Sequence, residues 1–176
     1  MASELTVQTL RGPTSGANAD TILIPSGQTL DASEGFIPPA GHMVQFEHAR
    51  HDPGSQAVTS TSLVDTGLTL NITPKFSNSY FYIVASMYET YSAVNNNTIQ
   101  FAINRNGTII GDHQAATVGY QGASPHYWNT TLTYVDVPNT SGLLTYKIQA
   151  KSPYGHTVYY NGDNSTTHLQ VMEIAQ

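Results

Sequence analysis

The stretch TIQFAINRNGTII (98–110) carries the clearest structural signal in the chain. Its apolar side chains fall on every second position from Ile99 to Ile103, and this period of two predicts a strand with one buried face. Asn106-Gly107 follows and precedes a second apolar run. This dipeptide favours a type I′ turn, because both turn positions need positive φ. The stretch therefore predicts a β-hairpin.

Similar strand patterns recur from residue 43 to the last residue, separated by turn residues. Leu68, Leu70 and Ile72 alternate, as do Leu169 and Val171, with Glu173 on the same face. Short strands at this spacing, without a helical period between them, predict an all-β fold, an antiparallel β-sandwich (jelly roll) over residues 42–176. The predicted strands are MVQFEHAR (43–50), SLVDT (62–66), LTLNIT (68–73), YFYIVASMYE (80–89), TIQFAINR (98–105), TIIGDHQ (108–114), TLTYVDV (131–137), LTYKIQAK (144–151), TVYYN (157–161) and HLQVMEIA (168–175).

The composition excludes several classes of protein. Only 10% of the 176 residues are charged, against about 25% in an average soluble protein. The six Lys and Arg are scattered and the net charge is −6, so no nucleic acid is expected as a partner. The longest apolar run, Tyr80 to Ala85, is far shorter than the roughly 20 residues that span a bilayer. We expect no membrane insertion, and the first ten residues lack the pattern of a secretory signal.

Residues 1–41 differ from the rest of the chain. They contain few large apolar side chains and are interrupted by RGPTSGANAD (11–20) and by Pro38-Pro39. A segment of about 40 residues with so few large apolar groups cannot build a core alone. Its apolar residues must therefore pack against the rest of the chain or against other copies, and we favour other copies. The segment is predicted to be an extended shaft or anchor. The residues concerned are Ile22, Ile24, Leu30, Phe36 and Ile37.

Several stretches resemble the C-terminal head domain of tail-fibre-like structural proteins of marine bacteriophages. TSLVDTGLTLNITPK (61–75) is similar to the start of that domain, and FAINRNGTIIG (101–111) to its arginine-bearing hairpin. VDVPNTSGLLTYKIQAK (135–151) and LQVMEIAQ (169–176) are similar to its last strands. LTVQTLRGPTSGANADTILIPSGQTLDAS (5–33) resembles the shaft that precedes such heads.

The resemblance implies a virion structural protein, a homotrimer with jelly-roll heads and a threaded shaft. The most direct expectation is a short tail fibre on the particle surface, assembled in the host cytoplasm, that binds a glycan or protein of the host surface. A second virion protein would hold the N-terminal segment. Two alternatives stay open: a trimeric capsid decoration or head fibre anchored through residues 1–41, and a carbohydrate-active tailspike.

No catalytic or metal site is predicted, and no cofactor is expected. Hydrolase chemistry needs a nucleophile–base set or two facing carboxylates, and no local signature places such a set. The carboxylates are few and mostly isolated along the chain, as Asp65, Asp112, Asp136 and Asp163 are. On a strand, His48 and His51 point to opposite faces, so they cannot share one ion. Three copies of one histidine on a three-fold axis are the remaining possibility for a metal site.

Aromatic residues concentrate in segments punctuated by glycine and proline. Flat amphipathic rings on loops stack on sugar faces or on peptide, while their polar tips form hydrogen bonds. The same residues also fill cores and subunit interfaces, and both interpretations stay open. The candidate receptor contacts are Tyr120, His126, Tyr127, Trp128, Tyr154, His156, Tyr159 and Tyr160, with Trp128 the first choice.

Overall fold

Strands dominate the described part of the chain. A computed structural model describes residues 12–17, 19, 21–28, 37–92, 94, 97–110, 116–119, 127–162 and 165–176. Within these ranges there is no helix that is long and apolar enough to cross a membrane. The strands are β1 (Met43–His51), β2 (Gln56–Val58), β3 (Val64–Ile72), β4 (Tyr80–Ser92), β5 (Thr98–Arg105), β6 (Thr108–Ile110), β7 (Ala116–Gly119), β8 (Trp128–Asp136), β9 (Leu144–Lys151), β10 (Val158–Tyr160) and β11 (Thr167–Ile174).

The strands form two antiparallel sheets with a shared core. In the six-stranded sheet the order is β1-β11-β4-β10-β2, and β8 also pairs with β4. In the five-stranded sheet the order is β3-β9-β5-β6, and β7 also pairs with β5. The chain changes sheets six times: between β2 and β3, β3 and β4, β4 and β5, β7 and β8, β8 and β9, and β9 and β10. This connectivity agrees with the predicted sandwich and with a jelly-roll order of strands.

Alternation along the strands places one face of each sheet in the core. Leu68, Leu70 and Ile72 are no more than 5% exposed, as their spacing predicts. The predicted hairpin also forms: Asn106 has φ 49° and Gly107 has φ 90°, and Arg105 lies opposite Thr108. The other buried apolar residues of the core include Phe81, Ile83, Met87, Ile99, Phe101, Ile103, Leu144, Tyr146, Ile148, Leu169 and Val171.

A buried carboxylate ties the β3–β4 connection to β11. Glu173 is fully buried, on the face that its alternation with Leu169 and Val171 predicts. Its oxygens accept hydrogen bonds from the backbone N–H of Lys75 at 2.9 Å and of Phe76 at 3.0 Å. The Ser79 hydroxyl donates a further bond at 2.6 Å. Because several N–H and O–H groups donate hydrogen bonds to the Glu173 carboxylate, its burial is compatible with a stable fold.

A charged network joins the two sheets at Asp136, which lies within the predicted strand 131–137. Asp136 is the last residue of β8 and is 5% exposed. One of its oxygens accepts from the Arg105 guanidinium on β5, and the other accepts from the Tyr146 hydroxyl on β9 at 2.7 Å. Burial, and then this bond to Asp136, raise the pKa of Tyr146 above its usual value. Asp65 also lies in a strand, β3, whereas Asp112 and Asp163 fall outside the described residues.

The strand boundaries differ from the predicted ones where the backbone bends. Residues 62–66 and 68–73 were predicted as separate strands, but β3 is continuous with a register shift between Asp65 and Thr69. Gly67 lies in this irregularity with φ 86°, and a Cβ there would be 2.7 Å from the His51 ring. The short strands β2 and β7 were not predicted. Neither has the length or the clean alternation that would mark a strand in a sequence.

The chain divides into two units, Met1–Ile37 and Pro38–Gln176. In the described part of the first unit, one turn closes with Ala19 N–H bonded to Gly16 O at 3.2 Å, and another with Gln28 N–H bonded to Pro25 O at 3.0 Å. The short apolar run between them is exposed: Ile22 by 48%, Leu23 by 59% and Ile24 by 46%. These three side chains are not packed in a hydrophobic core.

Candidate functional site

Three tyrosine rings form a cluster where β4 meets β10. Tyr91 and Tyr159 lie opposite each other in the strand register, and their rings stack with centroids 4.6 Å apart at 10°. Tyr127, immediately before β8, packs on Tyr91 with centroids 5.0 Å apart at 48°. We call Tyr91, Tyr127 and Tyr159 the tyrosine cluster. Two of its rings are carried by paired strands, so they are held more rigidly than rings on free loops.

An irregularity in β4 brings Tyr91 to the surface. The pairing of β4 with β8 shifts between Met87 and Thr90, and Glu89 has φ 44°. Before this shift the even-numbered residues of β4 face outward, whereas after it Thr90 is fully buried and Tyr91 is half-buried on the outside. Without the extra residue, Tyr91 would point into the core. A β-bulge of this kind redirects a side chain.

Trp128 follows Tyr127 of the cluster in the chain and is also exposed. It is the first residue of β8, lies opposite Thr90, and is 48% exposed. Its backbone carbonyl accepts a hydrogen bond from the Thr90 hydroxyl at 2.9 Å, which fixes the backbone from which the ring projects. Tyr127, next to it in the chain, is 59% exposed. A ring in such a position can contact a ligand without first leaving a core.

The turn before β10 presents two further candidates. Tyr154 is 63% exposed, and His156 is exposed as well. The turn is closed by Gly155 N–H bonded to Ser152 O at 3.0 Å and by the Ser152 hydroxyl bonded to His156 O at 2.6 Å. These two hydrogen bonds hold both side chains at the surface, a few residues before Tyr159 in the chain.

Tyr160 belongs to the core and is not a surface contact. It is 3% exposed, and its hydroxyl donates to Thr66 O at 2.9 Å. Its ring meets Phe101 edge-on with centroids 6.2 Å apart, and burial raises the pKa of Tyr160 to about 12. For this ring the core alternative is the correct one. Tyr120 and His126 lie outside the described residues.

A histidine pair was missed by the sequence analysis. His48 on β1 and His168 on β11 stack with centroids 5.1 Å apart, and their Nε2 and Nδ1 atoms are 2.9 Å apart. Tyr88 packs edge-on against His168 at 6.2 Å. The pKa of His168 is lowered by burial, and further by the neighbouring His48 and Arg50. The two histidines are 120 positions apart, so no local spacing in the sequence could have paired them.

The described residues contain no group of three His, Cys, Asp or Glu side chains suited to holding a metal ion. His48 and His51 do not come together: His48 stacks on His168, while the His51 ring lies against Gly67 of β3. The two rings thus have different neighbours, on β11 and on β3.

A shallow polar groove lies on the five-stranded sheet. Asp65 accepts hydrogen bonds from Lys147 Nζ and from Gln149 Nε2, each at 2.7 Å. These two hydrogen bonds, together with the Lys147 charge, lower the pKa of Asp65 against an opposing effect of burial. Asn104 also donates to Gln149, at 3.3 Å. The polar groups satisfy one another, and the groove has no exposed aromatic ring among its lining residues.

No protein-family model and no curated protein matches the chain. Among solved structures, its fold is similar to the VP2 subviral particle of infectious bursal disease virus, with a TM-score of 0.43 and 11% identity over 93% of this chain and 40% of that one. The Gx strain of the same virus gives a TM-score of 0.40 with 14% identity over 98% of this chain and 47% of that chain. Latent PorU from Porphyromonas gingivalis gives 0.35 with 11% identity over 89% of this chain and 15% of that one. This chain thus spans less than half of each of these proteins.

Proposed function

We propose that this protein is a virion structural protein of a bacteriophage, a short trimeric tail fibre whose β-sandwich head binds the host surface. The observation that carries the proposal is the tyrosine cluster, two of whose rings are built on paired strands, together with the exposed ring of Trp128, the residue after Tyr127. The resemblance of residues 61–75, 101–111, 135–151 and 169–176 to phage fibre heads supplies the biological context. Recognition residues commonly sit on a rigid scaffold of this type.

The chemistry of this surface favours a host glycan as the receptor. Sugar rings have apolar faces that stack on aromatic rings and hydroxyl edges that form hydrogen bonds, and tyrosine and tryptophan offer both types of contact. Tyr91 and Tyr159 are already stacked, so these rings lose little conformational freedom when a ligand binds. Exposed Tyr154 and His156 add polar tips in the turn before β10.

An apolar row across the six-stranded sheet supports the homotrimer. Strand register aligns Phe46, Met172, Tyr82 and Val135 on β1, β11, β4 and β8. Phe46 is 47% exposed and Val135 is 52% exposed. An apolar strip of this kind on the outer face of a sheet is typical of a surface that packs against another chain, and we assign it to a second copy. Three heads on one fibre would raise the avidity of a weak glycan site by effective concentration.

The first unit supports attachment to the particle. Ile22, Leu23 and Ile24 remain about half exposed, and covering the exposed part of each side chain contributes roughly 1 kcal/mol. We assign them to contacts with the other copies and with a second virion protein, as expected for a shaft or anchor segment. A capsid decoration protein would use the same contacts, so the position on the particle distinguishes the two functions.

Electron microscopy of intact particles tests the proposal. A gold-labelled antibody raised against the purified protein is expected to mark the tail. Marking of the capsid surface would contradict the tail-fibre assignment in favour of the decoration protein. The absence of label from particles whose tail and capsid proteins are accessible would overturn the virion assignment itself.

A further inference from the structure

Three buried side-chain oxygens without a hydrogen-bond partner occur where β4 meets the turn after β10. They are Glu89 Oε2, Asn161 Oδ1 and Ser165 Oγ, and no other buried side-chain polar atom of the described residues lacks a partner. Asn161 is fully buried. Because buried polar atoms in folded proteins almost always have partners, three unsatisfied oxygens in one region indicate a position for a bound ion or water.

Backbone hydrogen bonds hold these three residues in one place. Asn161 N–H donates to Tyr88 O at 2.9 Å, and Gly162 N–H donates to Glu89 O at 3.4 Å. Ser165 N–H then donates to Gly162 O at 2.8 Å and closes the turn. A Cβ added to Gly162 would lie 3.4 Å from Glu89 Oε2. The Glu89 carboxylate therefore lies directly against the turn that carries the other two oxygens.

The backbone at this place is also in an unusual conformation. Glu89 has φ 44° and Asn161 has φ 59°. Asparagine tolerates the left-handed region, whereas glutamate rarely adopts it. Glu89 is held there because its N–H donates to Asn129 Oδ1 at 3.1 Å and its carbonyl accepts from Gly162. Strained residues of this kind cluster at ligand sites.

The chemistry of the unsatisfied atoms identifies the class of ligand. Asn161 Nδ2 donates to Gly54 O at 3.4 Å, so the amide oxygen is the free end of this side chain. The site therefore offers a carboxylate oxygen, an amide oxygen and a hydroxyl oxygen, all of which are ligands that hard cations prefer. An anion would be repelled by the Glu89 carboxylate.

We propose that Glu89, Asn161 and Ser165 bind a divalent cation of the calcium class. Calcium accepts carboxylate, amide and water oxygens in a flexible geometry, whereas magnesium demands a stricter one. With a single carboxylate among its described residues, the site belongs among weak sites with dissociation constants of about 10⁻⁴ to 10⁻³ M. A bound cation would fix the β4 bulge to the turn after β10, which are the two segments that flank Tyr91 and Tyr159.

Titration of the full-length protein with calcium chloride, followed by calorimetry and by thermal unfolding, tests this proposal. Wild-type protein is expected to show saturable binding and a higher melting temperature in calcium than in chelator. Glu89→Gln should weaken binding at least about tenfold, because it removes the only formal charge among the three. Glu47→Gln, at an exposed carboxylate on β1, serves as the matched control and should bind as wild type. Binding that is absent at millimolar calcium, or unchanged in Glu89→Gln, would overturn the site.

Ser165→Ala keeps the test decisive if Glu89→Gln does not fold. It removes an unpartnered hydroxyl, so in chelator its stability should equal or exceed that of wild type. In calcium it should bind several-fold more weakly and gain less in melting temperature. A Ser165→Ala protein with wild-type calcium affinity would contradict the proposal, whereas lost affinity with retained stability would support it.

Discussion

Tyr159 and Tyr160 are neighbours in the sequence and lie in opposite environments. Tyr159 stacks on Tyr91 at the surface, whereas Tyr160 is buried and bonded to Thr66 O. A strand must send one of two adjacent side chains inward, so the sequence predicts that one of them is buried. It does not predict which one, because that depends on the pairing of β10 with β4. By sequence, both are therefore receptor candidates, and in the structure only Tyr159 is on the surface.

The buried tyrosines predict a loss of stability at alkaline pH. Burial raises the pKa of Tyr160 from 10.0 to about 12, and it also raises that of Tyr146. The folded state thus keeps protons that the unfolded state releases, so the stabilising effect is complete below about pH 10 and is lost as the pH rises towards 12. Urea unfolding at about pH 8 and about pH 11 should show a lower free energy of unfolding at the higher value.

Tyr160→Phe should reduce this dependence on pH, since the variant has one buried phenol fewer. Tyr154→Phe is the matched control, because Tyr154 is 63% exposed, and it should keep the wild-type slope. An equal slope in all three proteins would show that the Tyr160 hydroxyl does not ionise differently in the folded state.

Most of the long strands could be predicted from their alternation. β5 (Thr98–Arg105) and β9 (Leu144–Lys151) have the predicted bounds, because each has a regular period of two and a turn signal beside it. β4 runs three residues beyond its predicted end at Glu89 and reaches Ser92. The bulge at Glu89 inverts the alternation of buried and exposed side chains. A strand predicted from a single period of two therefore ends there. The same bulge brings Tyr91 to the surface.

The hairpin between β5 and β6 predicts a specific cost for a small substitution. Gly107 has φ 90°, and no atom lies within 4 Å of the position that a Cβ would occupy. Gly107→Ala should therefore lower the free energy of unfolding by about 1–2 kcal/mol through backbone conformation alone. Chemical denaturation measures the difference.

Gly142→Ala is the control for this substitution. The Cβ of the variant would lie 3.4 Å from Thr140 Oγ1, an ordinary contact, and the backbone there does not have the positive φ of Gly107. Its stability should stay within about 0.5 kcal/mol of wild type. If both alanine variants lose the same stability, the type I′ geometry is not the cause.

At the scale of the whole molecule, the sheet order and the contacts across it could not be predicted. The class, a β-sandwich, follows from composition and strand spacing. Two sets of contacts depend on which distant strands become neighbours. They are the charged network of Arg105, Asp136 and Tyr146 and the stacking of His48 on His168. Spacing along the chain carries no information on such pairs. The three oxygens at Glu89, Asn161 and Ser165 were missed for the same reason.

The proposed assembly predicts that removing residues 1–37 weakens the trimer without unfolding the head. The second unit contains the described core, and the cut preserves the bond from Gly41 N–H to Ala175 O at 2.8 Å. Loss of the exposed Ile22, Leu23 and Ile24 should raise the trimer dissociation constant at least about tenfold. Sedimentation velocity of the truncated and the full-length chains, each over a range of concentrations, measures this dissociation constant. An equally stable trimer from the truncated chain would show that the first unit does not hold the copies together.

Competition for host cells tests the central claim most directly, namely that the aromatic surface contacts the host. Purified wild-type protein should block adsorption of the phage, and Trp128→Ala should block it at least about tenfold less well while keeping its melting temperature, because the ring is half exposed. Ile109→Ala, which shortens an exposed side chain on the other sheet (39% exposed), should block as well as wild type. A Trp128→Ala protein that blocks adsorption as strongly as wild type would contradict the account.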